Sequence, residues 1–119
     1  MAKNNMNVKI FKIKLNNETK QRNFRFDFYA AAILDDEYGN ANEIIASAES
    51  KSYSATSKIV YAGLKHGDDE LTYKKVAQNL NFDIEMIEKV FELVTDFLPD
   101  IVEKNEEDVE EGKQNIVKN

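Results

Sequence analysis

Between Ile84 and Ile101 apolar side chains recur three and four apart, at Ile84, Ile87, Phe91, Val94, Leu98 and Ile101. That is the period of an α-helix with one face turned from water. Met86, Val90, Leu93 and Phe97 form an adjacent stripe, while Glu85, Glu88, Lys89, Glu92, Thr95, Asp96 and Asp100 fill the opposite half. The apolar sector spans about 180°, against roughly 100° for a helix lying on a domain surface. Such a helix is either central in its own domain or shared with a partner. The stripe Met86, Val90, Leu93 and Phe97 is the candidate partner-binding surface, because methionine adapts to varied apolar clients; intramolecular core is the competing assignment. Asp83 caps the helix start, and Pro99 kinks or ends it.

Upstream, one Pro and four Gly in 119 residues favour regular elements throughout. Val8 to Leu15 reads as a strand whose alternation slips: Val8 and Ile10 point one way, Phe11, Ile13 and Leu15 the other, so a bulge or a two-sided strand is expected. Asn16 to Thr19 supply turn chemistry, and Phe24, Phe26 and Phe28 alternate with Arg25 and Asp27 as a half-buried second strand. A hairpin alone is not stable, so it must lie on helices. A helix then begins at Phe28 and stops at Gly39. Asn42 caps the next, Ser52 or Ser54 the third, which runs to Gly67, and Thr72 the fourth. His66 falls in the last turn of the third helix, where a cation would cap the carbonyls. The expected fold is mainly α: an N-terminal β-hairpin packed on a bundle of about five helices, in one domain over 8–102. The segment 103–119, with six acidic residues and no core pattern, is expected to be a disordered acidic tail.

Several function classes drop out on composition. Without Cys there is no thiolate catalysis, disulfide or Cys-based metal site, and a lone His removes a multi-histidine centre. No apolar run reaches the roughly 18 residues of a membrane span, and no signal peptide opens the chain, which predicts a cytosolic protein. Phosphate-binding glycine loops, nucleophile elbows and metalloprotease motifs are absent. Asp68, Asp69 and Glu70 lack the spacing of a calcium loop. The chain is therefore expected to be no enzyme and to need no cofactor.

Charge is distributed unevenly. Residues 1–26 carry seven basic groups against Glu18 alone, whereas 27–102 carry fifteen acidic and six basic groups, within a net charge of −6. A basic front and an acidic body suit head-to-tail self-association, so a homo-oligomer is a candidate state. The stretch Thr72 to Phe91 has a helix-turn-helix cadence, but Glu85, Glu88, Glu92 and Asp96 would meet phosphates and repel them. A DNA-binding regulator is therefore the alternative reading, with nucleic acid disfavoured as a partner.

The basic hairpin with Phe24, Phe26 and Phe28, the Ala-rich helix AAAILDDEYGNANEI, a Tyr-rich helix, the TYKKVAQNL helix and a long terminal helix before a charged tail follow one another in order. This order resembles the small tail assembly chaperones of long-tailed phages of Gram-positive hosts, over residues 8–102. The resemblance implies a viral protein that binds the tape measure protein, and with it the tail tube protein, during tail assembly. It implies residence in the host cytoplasm and absence from the mature virion. A longer form made by programmed frameshifting near the C-terminus is implied as well. A structural head–tail connector is a further alternative. No residue-level binding motif carries over.

Overall fold

The computed structural model describes residues 9–98. Pro99, Ile101 and the acidic segment 103–119 lie outside the described residues, as do the outer bounds of the expected domain 8–102. Two strands, β1 (Phe11–Ile13) and β2 (Arg22–Phe24), pair antiparallel with Phe11 opposite Phe24, Lys12 opposite Asn23 and Ile13 opposite Arg22. Four helices follow: α1 (Phe28–Tyr38), α2 (Ala41–Glu49), α3 (Tyr53–Leu64) and α4 (Tyr73–Asn79). A fifth, α5, runs from 84 through the last described residue, 98. The fold is mainly helical with an N-terminal hairpin, as the sequence predicts.

The hairpin obeys simple alternation. Ile13 and Leu15 are buried and Phe11 half-buried, while Ile10, Lys12 and Lys14 stand on the outer face, so no bulge is required. Phe24 and Phe26 turn inward, but Phe28 is exposed. The reason is local: Asp27 caps α1 by accepting from the Ala30 N–H, and at Phe28 the period changes from two to 3.6. The hairpin also supplies donors to two helix ends. Asn16 N–H donates to the Asn79 carbonyl at 2.8 Å and Arg25 N–H to the Gly63 carbonyl at 3.2 Å, satisfying groups that a helix C-terminus leaves open.

The caps read from sequence are largely those observed. Gly39, at φ 99°, ends α1, and Ser52, Thr72 and Asp83 each accept from a first-turn N–H. The second helix differs: Asn40 caps it, accepting from Glu43 N–H, and Asn42 sits inside the first turn. The third helix ends at Leu64 and tightens into a 3₁₀ turn, Lys65–Gly67. Lys65 Nζ then donates to the carbonyls of Asp69 and Leu71, holding the loop that leads to α4.

The most buried helix is α3. Every residue from Ala55 to Leu64 except Lys58 is buried. Ala55, Thr56, Ser57, Ala62 and Gly63 are small enough to let α1, α2, α4 and β2 close around it. Ser57, which would otherwise be an unpaired polar group, donates its hydroxyl to the Tyr53 carbonyl at 2.8 Å.

Candidate functional site

Helix α5 presents its two apolar stripes to different surroundings. Met86, Val90, Leu93 and Val94 are buried in the core, and the Phe97 ring stands edge-on to Phe26, centroids 5.4 Å apart. The stripe assigned from sequence to a partner is thus packed inside its own domain. The physical reason is the hairpin. β1 runs antiparallel along one side of α5, with Lys9 Nζ 2.8 Å from Asp96 Oδ2 at one end. At the other end, Lys14 and Asn16 share a groove with Asp83, Glu85 and Met86.

The flank that remains is the neighbouring stripe. At 100° per residue, Ile87, Leu98, Phe91 and Ile84 follow one another around the helix on the side away from Asp96. Ile87, Phe91 and Leu98 are half-buried against the core, and Ile84 is 74% exposed. Beside Ile84, the Phe82 ring meets Tyr53 edge-on at 5.1 Å, and Tyr53 is also 74% exposed. The Tyr53–Phe82 pair thus joins the start of α3 to the turn that leads into α5, two residues before Ile84. Glu88 and Glu92 border the α5 flank on the solvent side, together with Thr95. No separate sequence signal marks this flank: Ile84, Ile87 and Phe91 satisfy the helical period as fully as the buried stripe does, and Met86 of the same first turn is buried where Ile84 is exposed.

A polar cluster lies elsewhere, around Tyr61. Tyr61, nearly fully buried, donates its hydroxyl to both carboxylate oxygens of Glu37 at 2.9 Å. Burial first, then the Glu37 carboxylate, holds the Tyr61 phenol well above its usual range. Tyr38 is pushed up to about 12 by the same two causes, burial leading. Tyr73 packs edge-on against both rings, and Lys58 and Lys65 lie over the Tyr38 and Tyr61 faces at 4.7 and 5.5 Å.

His66 departs from its expected role as a cationic cap. Burial and the nearby Arg25 charge lower its pKa from 6.5, against the weaker opposing influence of Asp27 and the carbonyls of Asn23 and Gly63. Its Nε2 is buried without a hydrogen-bond partner among the described residues. Arg25 Nε lies 3.2 Å from Asp27 Oδ2 but off the hydrogen-bond direction, so that contact is a charge pairing only.

Among the described residues, no three His, Asp or Glu side chains converge to hold a metal ion, and no helix is long and apolar enough to cross a membrane. No protein-family model matches the chain, and neither a curated protein nor a solved structure is significantly similar to it.

Proposed function

We propose that the chain is a non-enzymatic phage tail assembly chaperone that binds the tape measure protein, through the open flank of α5 and not through the Met86 stripe. The observation that carries this reading is the half-open apolar strip Ile84, Ile87 and Phe91, extended by the Tyr53–Phe82 pair. A helix docks on such a strip through residues spaced three and four apart, and the glutamates beside it favour a client with basic residues along its edge. The order of hairpin, Ala-rich helix, Tyr-rich helix and long terminal helix supports the family resemblance. The acidic face of α5, with Glu85, Glu88, Glu92 and Asp96 exposed, speaks against insertion into a DNA groove.

Co-expression with a tape measure protein from the same genome tests the proposal. The client should copurify with the wild type. It should be lost with Ile84→Asp or Tyr53→Asp, whose side chains are exposed and whose melting temperatures should stay near wild type. Mass spectrometry of purified particles should find no copy of the chain. Its presence there would favour a structural connector, and retention on DNA at low salt a regulator.

A further inference from the structure

A groove of about 420 Å³ separates β1 from the start of α5. Lys12 and Lys14 stand on one bank, Asp83 and Glu85 on the other, and Phe11, Leu80 and Met86 line the apolar floor. Of the other described basic groups of the hairpin region, Lys9 is matched by Asp96, Arg22 by Glu18 and Asp68, and Arg25 by Asp27, while Lys20 in the turn pairs with no described residue. Lys12 and Lys14 form no ion pair with a described residue, and neither do Asp83 and Glu85. Lys12 reaches the neutral Asn23 Oδ1 at 3.0 Å, and Asp83 Oδ1 accepts from the Met86 N–H.

A positive bank beside a negative bank is complementary to itself. A twofold axis lying along the groove places each positive bank on the negative bank of a second copy, at the same level. An axis lying across the groove would set like charges against each other. From this we infer that the groove face is the interface of a homodimer, closed by Lys12 and Lys14 of each chain against Asp83 and Glu85 of the partner subunit. Ile10, 52% exposed on the same outer face of β1, adds apolar area that the charged banks lack. The interface lies on the opposite side of α5 from the Ile84 flank, so the dimer needs no client and leaves that flank open.

Charge exchange between two variants tests the interface, with molar mass read by light scattering or sedimentation. The wild type should have the mass of two chains at low ionic strength and dissociate as salt shortens the screening length to about 8 Å near 0.15 M and further above it. Lys12→Glu with Lys14→Glu makes both banks negative. Asp83→Asn with Glu85→Lys makes both positive and keeps a capping side chain before α5. Each variant alone should have the mass of one chain, and an equimolar mixture should recover the two-chain mass, which misfolded chains cannot do. If a reversal unfolds the hairpin, Lys14→Gln replaces it and should raise the dimer dissociation constant severalfold. A monomeric wild type at the highest attainable concentration, a dimer that both variants leave intact, or a mixture that stays monomeric would overturn the inference.

Discussion

Gly63 illustrates how one residue joins two elements. A Cβ there would fall inside the Phe24 ring, which rests directly on the α3 backbone beside the Arg25 N–H to Gly63 carbonyl bond. Alanine is favoured over glycine in a helix by about 1 kcal/mol, but overpacking a core costs about 1–3 kcal/mol. Gly63→Ala should therefore lose about 1–2 kcal/mol in urea unfolding, towards the upper end of the difference because the clash is with a core ring, and Phe24→Leu in that background should recover part of it. His66 makes a second prediction at this scale. Its folded pKa lies below the ordinary 6.5, so the unfolded chain takes up the proton first as pH falls. Its contribution to stability is complete above about 6.5 and declines below it, down to the lowered folded value. Urea midpoints measured across that window should fall with pH, and His66→Gln should flatten the slope. An unchanged slope would place the ring in solvent.

Among the elements, α5 and α3 exchange the roles that their patterns suggest. The continuous apolar sector of α5 reads as the central helix, yet α3, with its serines, alanines and glycine, is the one enclosed. Hydropathy ranks small residues as neutral, whereas packing prizes them because they let neighbouring backbones approach. On α5, Leu93 is 6% exposed, so Leu93→Asp would bury a charge with no cation provided for it. The expected loss is about 4 kcal/mol or more, a large fraction of a small domain's stability. Circular dichroism should show an unfolded or molten chain for Leu93→Asp and a native spectrum for Ile84→Asp. A native spectrum for both would return the Met86 stripe to the surface.

At the scale of the whole molecule, charge that looked available for assembly is partly used to hold the hairpin down. Arg22 donates to both Glu18 oxygens at 2.8 and 2.7 Å and reaches Asp68 at 3.2 Å, while Lys75 Nζ lies 3.1 Å from Glu18. The network ties the hairpin turn to the loop before α4 and to α4 itself. The Arg22 hydrogen bonds, aided by Lys75, bring Glu18 down from 4.5 to about 2. A carboxylate lowered in this way stabilises the fold above about 4.5, and that contribution is lost as pH falls towards about 2. Arg22→Gln should cost about 1–2 kcal/mol at neutral pH, discounted for partial exposure, and should shrink the acid-side loss. Equal acid sensitivity in the variant would show that the pairing contributes nothing.

The features readable along the chain are local. Hydrogen bonds spanning three or four residues decide where a helix begins, so Ser52, Thr72 and Asp83 were legible as caps and Gly39 as a stop, whereas Asp27 read as a strand position and proved to be the cap of α1. The exception, Asn40 over Asn42, arose because two capping residues stand two apart and only the chain's exit from Gly39 selects between them. Period 3.6 in α5 was equally readable, and with the hairpin and the other helices it set the fold class, whereas β1 read as a slipping strand and is regular. Which stripe of α5 is covered was not. Both stripes satisfy the helical period, and the choice depends on β1, some seventy positions earlier, lying along one side and tied there by Lys9 and Asp96. The same long-range placement brought Arg25 beside His66 and Phe24 onto Gly63. Period and capping are properties of neighbouring residues, while burial depends on segments far apart in the chain and is fixed when they pack together.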